Sequence, residues 1–172
     1  MPNHQTFRIR PIKLLLSRYI KNPIGWVDPF AGANSPAEIT NDHNPEMPTK
    51  YNLDVMDFAK KLPNNLNGIL FDPPYSFTQI SEHYKSIGRR ASKYETSMSF
   101  YEKPKSLLCE KVKPGGYVIS FGWNSNGFGK ARGFKIIEIM LVAHGGSKND
   151  TIVTVEQKRA ISDYQSNIKE KI

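Results

Sequence analysis

The segment GILFDPPY, at residues 68–75, is the most informative part of the chain about its architecture. Its continuous apolar run is typical of a strand that is buried on both faces, as in parallel sheets covered by helices. Asp72 follows the run directly, and Pro73 and Pro74 then remove two backbone donors and restrict φ. The segment therefore predicts a rigid strand end, rich in hydrogen-bond acceptors, at one edge of a parallel sheet.

A second segment of the same type, WVDPFAG, stands at residues 26–32. A short apolar strand again ends in an aspartate that precedes a proline, and ligands bind at this edge of parallel sheets. Elsewhere, residue patterns predict helices over 11–21, 55–62, 79–85 and 101–112 and strands over 37–40, 51–53, 117–121, 134–142 and 150–156. This alternation predicts an α/β protein with a mostly parallel sheet that closes in an antiparallel hairpin.

The chain of 172 residues is long enough for one hydrophobic core and is predicted to form a single domain over residues 1–172. Residues 1–9 are predicted to be a loose arm, and residues 159–172 a frayed basic tail. No apolar run reaches the roughly 18–20 residues of a membrane span, and the first residues lack the features of a signal peptide. We therefore expect a cytoplasmic protein with no membrane partner.

Charge and the few cysteine and histidine residues narrow the class of function. Lysine and arginine number 24 against 16 acidic residues, and the net charge of +8 favours a polyanionic partner such as nucleic acid, although a basic surface also serves solubility alone. The single cysteine, Cys109, excludes an internal disulfide and is interpreted as a small buried apolar side chain. The four histidines show no ligand spacing, so no metal site is predicted.

The first strand end favours a cofactor without phosphate. No glycine-rich phosphate-binding loop follows it, and Gly32 stands alone there. A carboxylate at Asp28 suits an ammonium-bearing ligand, and S-adenosylmethionine carries an ammonium, a sulfonium and a ribose but no phosphate. Asp42 is placed to accept from the ribose, or else forms a local Asx turn. Asp54 is placed to accept from the adenine amino group, or else caps the helix that begins at residue 55.

The second strand end suits a planar amine. The Asp72 carboxylate and the Pro73 carbonyl can together accept both hydrogens of an exocyclic NH₂ group, which directs the nitrogen lone pair out of the ring plane. Tyr75 offers a flat face on which a base stacks. A base inside a duplex cannot reach such a pocket, so it has to be flipped out. The competing interpretation is a proline-stiffened turn with a solvent-exposed carboxylate.

Residues 28–32 and 72–75 resemble the cofactor-binding and catalytic motifs of DNA adenine-N6 methyltransferases, and the resemblance extends over about residues 10–158. It implies a Rossmann-like seven-stranded methyltransferase sheet, S-adenosylmethionine as cofactor and a flipped-out adenine in DNA as acceptor, as in restriction-modification systems. The implied cofactor-binding residues are Asp28, Pro29, Phe30, Gly32, Asn41, Asp42 and Asp54. The implied catalytic residues are Asp72, Pro73, Pro74 and Tyr75. Aspartate rather than serine at position 72 favours adenine over cytosine N4.

The chain departs from this family in two respects. Residues 33–37, between the first two strands, form a shorter segment than usual, and no separate target-recognition domain is present. Residues 7–12 stand where the family carries an N-terminal cofactor motif. Contacts to DNA are therefore expected from residues 76–99 and 121–132. The predicted nucleic-acid-binding residues are Lys85, Arg89, Arg90, Lys93, Trp123 and Asn124. The alternatives are a solvated face for the two arginines and a core-capping position for Trp123.

Two other functions fit the same residues. One is an RNA base N-methyltransferase, which can use a similar Asp-Pro-Pro motif. The other is a non-catalytic binding subunit with a methyltransferase fold, which the intact motifs at Asp28 and Asp72 disfavour. For the preferred DNA methyltransferase, a second copy of the chain or a separate recognition subunit is a further expected partner.

Overall fold

Helices and strands alternate along the chain in a computed structural model that describes residues 6–74, 88, 98–146 and 149–160. The helices are α1 (Arg10–Tyr19), α2 (Val55–Lys61) and α3 (Glu102–Lys111), and short 3₁₀ turns lie at Thr6–Arg8, Met98–Tyr101 and Lys130–Arg132. The strands are β1 (Trp26–Asp28), β2 (Ile39–Thr40), β3 (Leu66–Phe71), β4 (Val112–Gly122), β5 (Phe134–Val142) and β6 (Thr151–Lys158). The α/β class predicted from the sequence is confirmed, and the helix predicted over residues 79–85 lies outside the described residues.

The described strands form one six-stranded mixed sheet in the order β2-β1-β3-β4-β6-β5. The first four are mutually parallel, as predicted. The strand predicted over residues 51–53 is reduced to a single parallel bridge between Asn41 and Tyr51, so the described residues do not reach seven strands. The strand stops there because the Leu53 N–H donates to the Asn41 side chain at 3.0 Å and Asp54 at once begins the cap of α2.

The predicted hairpin between β5 and β6 is antiparallel, but it is not simply added to the edge of the sheet. β6 inserts between β4 and β5 and pairs with both in antiparallel fashion, so β5 becomes the edge strand. The burial of side chains follows from these positions. Val153 and Val155 of the inner strand β6 are fully buried, whereas Ile139 and Leu141 of the edge strand β5 are 53% and 64% exposed. Apolar content does not explain the order, because β5 is the more apolar of the two strands.

Two layers of helices cover the sheet. On one face, α2 and α3 contribute Phe58 and Leu108 to a core cluster with Val27, Ile69 and Val118. On the other face, α1 contributes Ile12 and Leu15 to a cluster with Leu70, Ile119 and Val153. Within the described part of the chain, no helix is long and apolar enough to cross a membrane.

Residues 6–9, which the sequence predicted to belong to a loose arm, pack against the rest of the fold, and residues 1–5 lie outside the described part of the chain. Thr6 is buried at 1% exposure, and the Phe7 ring meets the Phe121 ring edge to face at 5.6 Å. Arg8 Nε donates to Asn34 Oδ1 at 3.0 Å. These contacts hold the segment against the edge of the sheet where β1 and β3 end. Of the predicted frayed tail, residues 161–172 lie outside the described part of the chain.

Candidate active site

The two predicted motifs meet at one edge of the sheet. β1 and β3 are adjacent and parallel, with Val27 opposite Ile69. Asp28 is the last residue of β1, and Asp72 directly follows β3. The two carboxyl groups are close enough that the charge of Asp28 raises the pKa of Asp72. Two acidic groups are therefore concentrated at the carboxyl ends of neighbouring strands, where α/β sheets bind their ligands.

Asp28 is fully buried and is held by two local hydrogen bonds. Its carboxylate accepts from the Phe30 N–H at 2.9 Å and from Ser35 Oγ at 2.6 Å. Burial raises the pKa of Asp28 to about 7, the two hydrogen bonds oppose this rise, and the charge of Asp42 adds to it. Near neutral pH this carboxyl group is therefore poised between its two protonation states, and a bound cation would favour the ionised one.

Asp72 carries an acceptor atom that no residue in the described part of the chain uses. Burial raises the pKa of Asp72 well above its ordinary value, a hydrogen bond from the Thr6 side chain lowers it, and Asp28 raises it further. Oδ1 of Asp72 is buried and has no hydrogen-bond partner among the described residues. A buried acceptor without a partner costs about 1–3 kcal/mol, so a donor brought to this atom by a ligand is strongly favoured. The competing interpretation of Asp72 as a solvent carboxylate is not supported.

An aromatic cluster joins the two motifs. The rings of Phe30, Phe71 and Tyr101 contact one another edge to face at centroid distances of 5.4–6.1 Å. The Tyr101 hydroxyl also donates to the Pro74 carbonyl at 3.2 Å, and Pro73 is buried. Tyr101 was not predicted as a site residue, because in sequence it only marks the start of a helix. The cluster holds the Asp-Pro-Pro segment rigidly against the first motif.

The remaining predicted cofactor residues shape the loops beside Asp28. The Asp42 carboxylate accepts from the N–H groups of Gly32 at 3.1 Å and Asn44 at 2.9 Å, the second contact being an Asx turn. The Asp54 carboxylate caps α2 by accepting from the Met56 N–H at 2.8 Å. The local roles named as alternatives in the sequence analysis, an Asx turn for Asp42 and a helix cap for Asp54, are therefore confirmed. Each of these carboxylates still has lone pairs for a ligand, so their cofactor contacts stay predictions.

Asn41 ties three loops together through its side chain. Nδ2 donates to the carbonyls of Pro29 and Leu53, both at 3.1 Å, and Oδ1 accepts from the Leu53 N–H. Asn41 is 1% exposed, and both amide hydrogens are used within the protein. Its observed role is to position the loop after β1, and only an acceptor lone pair is left for a cofactor.

The loop after β4 is clamped at its base and exposed at its tip. The buried Glu156 carboxylate accepts from the N–H groups of Phe128 at 2.6 Å and Gly129 at 2.8 Å. A methyl group on Gly127 would overlap Oε2 of Glu156, so only glycine fits there. Trp123 is 38% exposed, and neighbouring Asn124 is exposed as well. Trp123 belongs to neither core cluster, so the core-capping alternative is not supported and nucleic-acid contact stays a prediction.

Several predicted residues lie outside the described part of the chain. They are Tyr75, Lys85, Arg89, Arg90 and Lys93. Cys109 is buried as predicted, donates to the Ser106 carbonyl at 3.0 Å and has a pKa that burial raises, which is the environment of an unreactive thiol. Among the residues described, no group of three or more histidine, cysteine or acidic side chains is arranged to hold a metal ion.

Comparison with known proteins identifies the fold. No family model and no curated protein matches the sequence. A Burkholderia thailandensis 1,6-didemethyltoxoflavin-N1-methyltransferase, solved with S-adenosylhomocysteine, has TM-score 0.58 and 12% identity over 88% of this chain and 78% of its own. N-methyltransferase NodS from Bradyrhizobium japonicum has TM-score 0.56 and 9% identity, and the match covers 93% of this chain and 100% of NodS. An Archaeoglobus fulgidus SAM-dependent methyltransferase has TM-score 0.55 and 14% identity, and the match covers 90% of this chain and 97% of that protein. At these identities the likeness concerns architecture: the chain has the α/β fold of S-adenosylmethionine-dependent methyltransferases.

Proposed function

We propose that this protein transfers a methyl group from S-adenosylmethionine to the exocyclic N6 amine of a flipped-out adenine in DNA. The observation that carries the proposal is the buried Oδ1 of Asp72 at the sheet edge, which has no partner within the residues that the structure describes. An exocyclic amine is a donor that would satisfy this atom, and Pro73 and Pro74 keep the adjoining backbone free of competing N–H groups.

The residues around Asp28 fit S-adenosylmethionine. Asp28 is an acidic group that burial holds near its ionisation midpoint, so the ammonium of the cofactor would gain by converting it to the carboxylate. Gly32, at φ 52°, lets the backbone approach the ligand where a side chain would be strained. Asp42 lies within electrostatic range of Asp28 and adds to the negative potential. When bound, this cofactor supplies an electrophilic methyl group on a positively charged sulfur.

The chain itself contributes position and electrostatics. Asp72 accepts one hydrogen of the amine at Oδ1, and the Pro73 carbonyl accepts the other, which aims the nitrogen lone pair out of the plane of the base. As the nitrogen–methyl bond forms and the methyl–sulfur bond breaks, the Asp72 carboxylate would stabilise the positive charge that develops on nitrogen, as a preorganised acceptor rather than a strong base. The nitrogen would then lose its extra proton to water, and S-adenosylhomocysteine would be released. A cation bound beside Asp28 also offsets the repulsion that raises the pKa of Asp72, so occupancy of the cofactor site favours the ionised acceptor.

Recognition of the base and its surroundings is proposed for three residues. Tyr75 stacks on the flipped base, and Trp123 and Asn124 meet the nucleic acid from the loop after β4. The rigid base of that loop supports this role, because a clamped stem presents the exposed tip in one place. The net charge of +8 supports a phosphate backbone as partner.

An RNA base is the second candidate acceptor. The same acceptor pair serves any exocyclic amine on a planar base, and basic charge attracts both nucleic acids equally. The chemistry at Asp72 therefore does not distinguish a DNA acceptor from an RNA acceptor, and only a comparison of the two substrates can do so.

The test is methyl transfer from isotopically labelled S-adenosylmethionine to duplex DNA and, separately, to structured RNA, followed by mass spectrometry of the nucleosides. Labelled N6-methyladenine from DNA is the expected product, and its rate of formation should fall by roughly 10²–10³ with Asp72→Ala. Asp57→Asn, an exposed change on α2 at 62% side-chain exposure, is the matched control and should leave the product unchanged. Label only in RNA would select the second candidate. Tight cofactor binding without label in either nucleic acid would select a non-catalytic binding subunit.

A further inference from the structure

Tyr101 contacts both motifs of the candidate active site from the start of α3. Its ring meets the Phe30 ring of the first motif at 5.7 Å and the ring of Phe71, which directly precedes Asp72, at 6.1 Å. Its hydroxyl donates to the Pro74 carbonyl at 3.2 Å. The ring contacts therefore fix where the side chain lies, and the hydroxyl binds the backbone of the second motif.

The hydroxyl of Tyr101 is not needed to build the helix that it precedes. Tyr101 is the N-cap residue of α3, and its side chain makes no capping hydrogen bond. The contacts with Phe30 and Phe71 are made by the ring and do not use the hydroxyl. A phenylalanine at this position therefore keeps the ring packing and loses only the bond to Pro74.

The backbone of the second motif has few torsions left to fix. The rings of Pro73 and Pro74 restrict φ at both residues. A residue that precedes a proline is also restricted in ψ, and this applies to Asp72 and to Pro73. Beyond Asp72, the first backbone torsion without such a restriction is therefore ψ of Pro74.

The hydrogen bond from Tyr101 fixes this remaining torsion. ψ of Pro74 sets the direction of the Pro74 carbonyl and, because the peptide group is planar, the direction in which the chain continues. A carbonyl bound at 3.2 Å to a side chain that two rings hold in place keeps one direction. The residue that follows is Tyr75, for which stacking on the base is part of the proposed function.

Resting on the proposed function, we propose that Tyr101 is a positioning residue whose hydroxyl holds the Pro74 carbonyl and so directs Tyr75 towards the flipped base. Tyr101 does not touch the substrate in this scheme. The two acceptors of the amine, the Asp72 carboxylate and the Pro73 carbonyl, precede ψ of Pro74 in the chain and do not depend on it. Loss of the Tyr101 hydroxyl should therefore weaken binding of the base more than it slows methyl transfer.

The experiment compares Tyr101→Phe with the parent in methyl transfer to DNA, or to RNA if that is the substrate. KM and the dissociation constant for the nucleic acid are expected to rise about 3- to 10-fold, the usual effect of one hydrogen bond, while kcat changes less than about two-fold. The dissociation constant of S-adenosylmethionine, measured by calorimetry, should also change less than about two-fold. In the Tyr75→Ala background, Tyr101→Phe should weaken nucleic-acid binding less than about two-fold further, because a residue that acts through another has no separate effect once its partner is removed.

Tyr19→Phe is the matched control. The Tyr19 hydroxyl is also partly buried and donates to Glu138 Oε2 at 2.6 Å, in a bond that joins α1 to the edge strand β5. The Tyr19 ring lies against Tyr117, which pairs with Gly68 in the first half of β3, away from the strand end that carries Asp72. This variant should keep the parent kcat and KM.

Each outcome decides the matter. An active parent with a Tyr101→Phe variant of unchanged KM overturns the inference and leaves the proposed function intact. A loss confined to kcat, a loss of cofactor affinity, or a loss that Tyr75→Ala leaves undiminished also overturns it, because Tyr101 would then act through another part of the fold. A parent inactive on every nucleic acid overturns both proposals. If Tyr101→Phe does not fold, as judged by circular dichroism, Tyr101→Met, which also lacks the hydroxyl, takes its place in the same comparisons.

Discussion

Asp28→Asn should make the folded protein more stable at neutral and alkaline pH. The Asp28 carboxyl group is fully buried, and its pKa rises from 3.8 to about 7 because burial disfavours the charge. An asparagine of the same shape can still accept from the Phe30 N–H and donate to Ser35 Oγ, so its two local partners stay satisfied. The substitution removes only the charge.

The magnitude follows from the pKa rise. At about 1.4 kcal/mol per pKa unit, a rise from 3.8 to about 7 corresponds to roughly 4 kcal/mol of unfavourable ionisation in the folded state. At a pH below the pKa of Asp28 in the unfolded chain, Asp28 is protonated in both the folded and the unfolded state, so it does not lower the free energy of unfolding. As pH rises towards 7 the unfolded chain ionises first, so the parent loses stability over this window and reaches a plateau above it. The variant has no such loss.

The assay is urea unfolding of both proteins at a series of pH values from about 4 to about 8.5. The difference in free energy of unfolding, variant minus parent, should increase by roughly 4 kcal/mol across the series. Neutralising Asp28 also lowers the pKa of Asp72, which adds to the difference in the same direction. Asp57→Asn, on the exposed surface of α2, should give a nearly constant difference. A pH-independent difference for Asp28→Asn would refute the burial argument.

Three further predictions concern the site. S-adenosylmethionine should bind less tightly as pH falls below about 7, approaching ten-fold per pH unit, because Asp28 must lose its proton to meet a cation; calorimetry that shows constant affinity contradicts this. Asp72→Ala should reduce methyl transfer by roughly 10²–10³ with cofactor affinity nearly unchanged, and a parent-like rate would remove Asp72 from the mechanism. Gly127→Ala should destabilise the protein by more than Gly145→Ala and should increase acrylamide quenching of Trp123. Both glycines have positive φ, but only Gly127 lies against the Glu156 carboxylate. Equal destabilisation by the two substitutions would show that backbone strain alone is responsible.

The positions of the two acidic strand ends of the candidate site were predictable because their information is local. An apolar run that ends in Asp-Pro indicates both a buried strand and a carboxylate at its end, so the meeting of Asp28 and Asp72 at one edge of the sheet was predicted without any knowledge of the fold. The weaker predictions were those in which a nearby backbone N–H competes for the same side chain. Asp42 and Asp54 bind the N–H groups of Asn44 and Met56, two residues further along, as aspartates at turns and helix starts commonly do.

Contacts between distant segments could not be read in this way. The sequence by itself determined the α/β class, the parallel strands and the two acidic strand ends, because hydrophobic periodicity and proline act within a few residues. Only the tertiary structure placed β6 inside the sheet, set Glu156 beneath the loop at residues 127–129, and brought Tyr101 to Pro74. These pairings depend on which surfaces gain most from burial together, and that free energy belongs to the packed whole rather than to any single segment.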